Sequence, residues 1–346
     1  MEYTFVSILI PIRNEADTIR HCLDAVLGQD YPPERTEILV ADGMSDDGTR
    51  NKLEALQEQH PNLYVFDNPK KIVPTGLNIL IGQAKGEVII RVDGHTIINP
   101  DYVRQCVRLL RSSGADNVGG RMDARGENFF GEVVALATSS LFGIGGARFH
   151  YSDKEEWVDT VYMGAWKREI FEKIGLFDEE LVRNQDDEFN YRLRKFGGKI
   201  LLSPKIKSTY TPRGSIKSLW KQYFQYGFWK VRVLQKHPKQ MSLRQFVPPT
   251  FVLALFIGLV LGLFSHWGRI FLLAVIGSYL ITDLVISFNI SLRAKYLRYI
   301  ILLPFVFATV HFGYGFGFLI GLIKFYNRWN DDEGKVPFLS DESISY

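Results

Sequence analysis

Residues 5–15 read FVSILIPIRNE, an apolar run broken only by one serine and one proline that ends in a polar turn. A strand that is apolar without alternation has both faces covered, as in a parallel sheet flanked by helices. The pattern recurs along the chain. EILVAD (37–42), NLYVFD (62–67) and EVIIRVD (87–93) are three more short β-rich runs, and helical stretches at 17–27, 49–59 and 74–85 separate them. That alternation is the βαβ order of an α/β sheet. A helix at 100–112 and a strand at 117–122 follow, and mixed α/β pattern returns over 164–202. Between them, FFGEVVALATSSLFGIGGARFH (129–150) fits neither a clean strand nor a spanning helix. It reads either as a core helix with a loop or as a loop facing a bilayer. The opening run is too short for a signal peptide and has no basic leader, so it reads as a strand.

The 346 residues have room for one large domain with an appendage or for two domains. The apolar residues are concentrated beyond about residue 246, in runs at 247–264, 270–288 and 299–323, each near the 17 to 25 residues that span a hydrocarbon core. These are expected to be transmembrane helices. Arg232, Lys236, Lys239 and Arg244 precede the first, and Arg293, Lys295 and Arg298 lie between the second and third. The positive-inside rule puts both segments, and the N-terminal domain with them, in the cytoplasm. Three spans would leave the tail outside, but HFGYGFGFLIG (311–321) is rich enough in glycine for the third to be broken or re-entrant. Residues 215–239, SIKSLWKQYFQYGFWKVRVLQKHPK, read as an amphipathic helix at the membrane surface. The expected division is 1–215, a catalytic α/β domain; 216–245, interfacial; 246–325, about three transmembrane helices; and 326–346, a polar tail. A net charge of +3 is too small to indicate nucleic acid, and the two cysteines, Cys22 and Cys106, form no metal spacing or disulfide framework. Asp283 and His311 lie inside the apolar third, where an ionisable group is costly. Either they meet between the second and third spans, or Asp283 snorkels to the interface.

In open α/β sheets a ligand sits beyond the carboxyl ends of the strands, where this sequence places Asn14 and Glu15, Asp42, and Asp93. Each has a plainer reading alone. Asn14 could be a helix cap, Asp42 a turn former, and Asp46 and Asp47 a cap on the helix after Gly48. Three acidic strand ends on one sheet point instead to a shared crevice.

Five motifs carry a resemblance over about residues 5–235: PIRNE (11–15), ADGMSDDGT (41–49), VDGH (92–95), GAWKREIFEKIGLFDEEL (164–181) and NQDDEFNYRLRKFG (184–197). In this order they resemble the family 2 inverting glycosyltransferases of GT-A fold, and within them the ExoA-type succinoglycan glycosyltransferases. The resemblance implies a Rossmann-like, mostly parallel sheet followed by C-terminal transmembrane helices, and a nucleotide-sugar donor. It implies that Pro11, Arg13 and Glu15 line a nucleoside pocket, that Asp42 accepts a hydrogen bond from the base, and that Lys71 and Asn78 approach the diphosphate or ribose. Asp93, Gly94 and His95 stand where the family has its DXD motif, with His in place of the second Asp. A divalent cation there would stabilise the charge of the leaving diphosphate, and a carboxylate with an imidazole suits Mn²⁺ better than Mg²⁺.

Inverting transfer needs a base to take the acceptor's proton. Counting back from Arg192 matches Asp186 to that base, with Asp187 one residue of register away. Glu188, four residues before Arg192, reads as an ion pair within the helix. Gln222, Gln225 and Trp229 lie where relatives hold the acceptor with a Gln-x-x-Arg-Trp motif. Phe228 replaces its Arg, which speaks for a single transfer rather than a polymerase. The expected reaction moves one sugar from a UDP-sugar, with UDP-glucose the leading candidate, to a lipid-linked glycan in cell-surface polysaccharide assembly at the cytoplasmic membrane. Transfer to polyprenyl phosphate and a non-catalytic membrane scaffold are the rivals. The expected partners are the donor, the lipid-linked acceptor and membrane lipids, without nucleic acid.

Overall fold

The computed structural model describes residues 3–329 and 336–339. In chain order the elements are β1 (Val6–Ile12), α1 (Ile19–Leu27), β2 (Thr36–Asp42), α2 (Thr49–Gln57), β3 (Leu63–Asp67), α3 (Val73–Gln83), β4 (Val88–Arg91), β5 (Thr96–Ile98), α4 (Tyr102–Ser112) and β6 (Asn117–Ala124). Then come α5 (Phe129–Thr138), α6 (Leu141–Ile144), β7 (Glu156–Trp157), β8 (Tyr162–Lys167), α7 (Glu169–Ile174), α8 (Gln185–Lys195) and β9 (Ile200–Tyr210). The last four are α9 (Ile216–Lys236), α10 (Leu243–Phe264), α11 (His266–Arg293) and α12 (Tyr299–Lys324). By its contacts the chain divides into two units, one of Met1–Asp123, Ala147–Tyr210 and Gly334–Tyr346, the other of Ala124–Gly146 and Thr211–Glu333.

The first unit is built on one nine-stranded sheet, ordered β3-β2-β1-β4-β8-β6-β9-β5 with β7 on β9. β3, β2, β1 and β4 are mutually parallel. β8 joins β4 antiparallel, and β5 and β7 join β9 antiparallel. The sheet is therefore mixed, its parallel half being the stretch legible from the four apolar runs. β1 sits at its centre with every residue buried. Val6, Ile8, Ile10 and Ile12 face a core shared with α1, α2 and α4, while Leu9 faces another, packed by α3, α7 and α8. Two covered faces explain why β1 lacks alternation. The carboxyl ends of β1, β2 and β4 open on the same edge, since Ile12 pairs with Asp42 and Leu9 with Arg91.

The second unit is helical. α10, α11 and α12 are each long and apolar enough to cross a membrane. α12 runs unbroken through its glycines, so the glycine-rich segment does not break the helix. Gly313, Gly317 and Gly321 form a stripe against the backbone of α9, where an added Cβ would sit 3.3, 2.0 and 2.7 Å from the carbonyl oxygens of Trp220, Phe224 and Phe228. Small residues spaced by four let two helix backbones approach this closely. α9 and α12 therefore run parallel, and α9 is a packed partner rather than a lone surface helix. Its buried Arg232 and Gln235 close the far end: Gln235 Nε2 donates to Phe325 O at 2.7 Å and Arg232 to Arg328 O at 3.2 Å. The ambiguous 129–146 stretch belongs here too. Val133, Val134 and Ala137 of α5 are buried against Leu303, Val306, Phe307 and Val310 of α12.

Candidate active site

At the end of β1 the chain turns through Asn14 in the left-handed region, φ 56°. Asn14 and the loop after β2 hold each other: Asn14 N donates to Ser45 Oγ at 2.9 Å, its Nδ2 to Asp46 Oδ1 at 2.9 Å, and Asp46 N to Asn14 Oδ1 at 3.1 Å. Asp47 accepts from Thr49 Oγ1 at 2.6 Å, from Ala16 N at 3.0 Å and from Thr49 N at 3.0 Å, which holds its carboxyl below the usual range. Asp46 and Asp47 are thus the loop's scaffold. Asp42 itself is buried, and Ser45 Oγ donates to its Oδ1 at 2.5 Å, while Arg50 lies 3.7 Å from Oδ2. A carboxylate has about four lone-pair directions, so capacity remains for a further donor. Pro11 is buried under Gly76, and Arg13 is exposed beside Gly43.

At the end of β4, Arg91 is almost fully buried, and its Nε donates to Asp93 Oδ1 at 2.8 Å. Its Nη1 is buried and makes no hydrogen bond among the described residues. Burial alone would lower the Arg91 pKa, but Asp93 and Asp186 outweigh it and raise the value. His95 Nδ1 lies 3.0 Å from Glu15 Oε1. A carboxylate on one ring nitrogen fixes the imidazole so that the other, Nε2, presents its lone pair. Glu15, expected at the nucleoside, is instead engaged with His95 and accepts from Thr18 Oγ1 at 2.8 Å. Asp93 N donates to Met163 Sδ at 3.4 Å, and Met163 is itself at φ 60°. Backbone held in that region by a side chain with Cβ is uncommon and clusters at functional sites.

Asp186 enters the same group from α8, reached through Asn184 at φ 64°. Asn184, not Asp186, is the cap residue, and Asp186 Oδ1 accepts from Asp187 N at 2.9 Å. Burial raises the Asp186 pKa, while Arg91 opposes the rise and Asp187 and Asp93 add to it. Arg91 therefore sits electrostatically between Asp93 and Asp186. Glu188 pairs with Arg192 at 2.6 Å, as its spacing predicts.

The other expected residues fare differently. Asn78 is buried and spent on packing: its Oδ1 accepts from Phe177 N at 2.9 Å and its Nδ2 donates to Phe177 O at 2.9 Å. These bonds hold the loop after α7. Lys71 is exposed, in a left-handed turn at φ 62°. Gln222, Gln225 and Trp229 lie on α9 in the second unit, where Gln222 Nε2 donates to Tyr226 Oη at 3.0 Å and Trp229 packs on Phe325. Asp283 and His311 do not touch directly. Tyr279 stands between them, its hydroxyl 2.9 Å from His311 Nδ1 and also hydrogen-bonded to Asp283. Arg91 is the residue that sequence reasoning missed, and its signal was a charge inside the buried four-residue strand VIIR.

Residues 7–175 match the model of the family described as glycosyl transferase family 2. The chain is 32% identical over 243 residues to a succinoglycan biosynthesis protein, ExoA, of Rhizobium meliloti, spanning 70% of this chain and 73% of the relative. It is 29% identical over 328 residues to a dolichyl N-acetyl-α-D-glucosaminyl phosphate 3-β-D-2,3-diacetamido-2,3-dideoxy-β-D-glucuronosyltransferase of Methanococcus voltae, spanning 92% of this chain and 98% of that one. Among solved structures it is similar to a mannosyltransferase of Pyrobaculum calidifontis, in complex with GDP-Man and Mn²⁺, with a TM-score of 0.58 at 20% identity over 90% of this chain and 87% of the other. That likeness places the first unit in the GT-A fold.

Proposed function

Because this chain belongs to glycosyl transferase family 2 and is a glycosyltransferase, we propose that its first unit moves one sugar, with inversion, from a nucleoside-diphosphate sugar to a lipid-linked glycan. The observation that carries the reading is the Asp93–Arg91–Asp186 group at the carboxyl end of β4, on the same sheet edge as Asp42 and the Asn14 turn. Asp42 is the acceptor for the base N–H. Asp186 is the base that takes the acceptor hydroxyl proton as that oxygen attacks the anomeric carbon and the diphosphate leaves. Arg91 Nη1, lacking a protein partner, is suited to an anionic oxygen of the donor.

A divalent cation, Mn²⁺ in preference to Mg²⁺, fits the donor set. Arg91 occupies Asp93 Oδ1 and leaves Oδ2, and Glu15 orients His95 toward offering Nε2. Among the described residues no cluster of three or more His, Cys, Asp or Glu side chains is arranged to hold a metal. Cations of this kind are commonly bound by one or two side chains together with substrate phosphates. When bound, the cation neutralises charge on the leaving diphosphate.

A lipid-linked sugar as acceptor is supported by the relative from Methanococcus voltae, whose name specifies a dolichyl-phosphate-linked sugar and which is matched along nearly its whole length. UDP-glucose is the first donor to try, at the cytoplasmic face of the membrane. Release of nucleoside diphosphate across a panel of donors, with Mn²⁺ and with chelator, tests the reaction. Thin-layer separation of products from polyprenyl phosphate and from polyprenyl-diphosphate-linked sugar tests the acceptor. Product only on bare polyprenyl phosphate would overturn the acceptor, and release unaffected by Asp186→Asn would overturn the site.

A further inference from the structure

Of the described residues beyond α12, 336–339 belong to the first unit. Leu176 N donates to Pro337 O at 2.8 Å. Gly175, at φ 77°, packs so closely there that an added Cβ would lie 2.8 Å from Val336 Cγ1 and 3.3 Å from the Phe338 ring. Leu339 packs on the core that holds Phe171 and Phe177. The chain thus leaves the first unit after Tyr210 and is back on it at Val336. A folded polar domain cannot make these contacts across a hydrocarbon core about 30 Å thick. The number of crossings between them is therefore even, although three helices have the length and composition to cross.

We infer that the chain crosses the bilayer twice, through the α10–α11 hairpin, and that α12 does not cross it. Burial separates the helices. Only 17% and 11% of the most apolar windows of α10 and α11 are covered by protein, against 56% for α12. Phe256, Leu259, Leu263, Leu273 and Leu280 are outward-facing and need lipid. α12 instead packs along much of its length on α9, α5, α10 and α11: Gly315 meets Pro248 and Val252, and His311 meets Tyr279.

Four crossings, with α9 as the fourth, would satisfy the return as well, but α9 is not among the helices long and apolar enough to cross, and it carries Lys217, Lys221, Lys230 and Arg232. The flanking charge agrees with two crossings. Lys236 and Lys239 before α10 with Arg244 in its first turn, Arg293 at the end of α11 with Lys295 and Arg298 after it, and Lys324 and Arg328 around the end of α12 all fall on one side, which the positive-inside rule makes cytoplasmic. Residues 336–339, which an odd count would put outside, are on the catalytic side.

Single cysteines at His266, Arg298 and Asn327, with Glu58→Cys marking the first unit, would be placed in the full chain; Cys22 and Cys106 are buried and stay as they are. With a membrane-impermeant maleimide on intact spheroplasts and on inverted vesicles, Arg298→Cys, Asn327→Cys and Glu58→Cys should label from one face and His266→Cys from the other. Arg298→Cys and Asn327→Cys on opposite faces would mean that α12 crosses, and would overturn the inference. So would His266→Cys labelled from the face of Glu58→Cys.

Discussion

Arg91 Nε lies 2.8 Å from Asp93 Oδ1, and the pair closes β4 with the guanidinium almost wholly buried. A buried charge is tolerated when its counter-charges are close, and Arg91 has two, Asp93 and Asp186. Arg91→Met should therefore lower turnover on the order of 100-fold, the scale of losing one preorganised electrostatic contact. Its effect on donor KM should be smaller. Arg91→Lys should restore only part, since a point charge does not replace the fork. Steady-state kinetics on the detergent-solubilised chain would check this; a wild-type kcat in Arg91→Met would remove Arg91 from the site.

Asp186 and Asp187 are adjacent but unequal. The Asp186 pKa is raised, by burial first, with Asp187 and Asp93 adding and Arg91 opposing. The proposed base Asp186 would have to be ionised, so kcat/KM should fall as pH drops through its raised pKa, an acid limb displaced upward from the ordinary carboxylate range. In Arg91→Met the limb should move further up. Asp186→Asn should cost about 10² to 10⁴ in turnover, and Asp187→Asn clearly less. Stability carries the opposite sign. The folded chain binds the Asp186 proton more tightly than the unfolded one, so stability is full below the unfolded pKa and is lost as pH rises through the raised value. Asp186→Asn should remove that slope, as read from urea midpoints across pH.

His95 replaces the second Asp expected of a DXD motif, and Glu15 lies on its Nδ1 at 3.0 Å. His95→Asp should keep activity while moving the metal preference from Mn²⁺ toward Mg²⁺, because an all-oxygen set suits the harder ion. Glu15→Gln should weaken Mn²⁺ activation by about 10-fold or more through the loss of the orienting carboxylate. Titrating Mn²⁺ and Mg²⁺ against both variants would check each statement.

The parallel half of the sheet was legible because β1, β2 and β4 are buried on both faces and show it as unbroken apolar runs. Asp42, Asp93 and Asp186 were legible as acidic residues at strand and helix ends. Arg91 was not, since its role depends on the approach of Asp186 from α8, some 95 positions away. The two bonds of Asn78 to Phe177 were not legible because they connect segments that sequence spacing does not relate. The α12 glycines suggested a broken helix for the same reason: the backbone that needs their missing side chains belongs to α9.

Gly317 is the tightest point of that stripe, its Cβ position only 2.0 Å from Phe224 O. Gly317→Leu should force α9 and α12 apart and cost at least the roughly 1 to 3 kcal/mol typical of overpacking. Gly277 on α11, with nothing within 4 Å of an added Cβ, is the control, and Gly277→Leu should be near neutral. Thermal unfolding in detergent would separate the two, and equal stability would argue against close α9–α12 packing.

Asp283 and His311 are joined through Tyr279, and His311 Nε2, 2.8 Å from Phe142 O, must donate there because a carbonyl only accepts. Nδ1 then either accepts from the Tyr279 hydroxyl or, in the charged imidazole, donates to it. Asp283 and His311 should accordingly be coupled only through Tyr279. A double-mutant cycle on Asp283→Asn and His311→Gln, read as stability in detergent, should give a coupling of about 0.5 to 1.5 kcal/mol. The same cycle in a Tyr279→Phe background should give almost none. Coupling that survives Tyr279→Phe would mean that the two residues reach each other by another route.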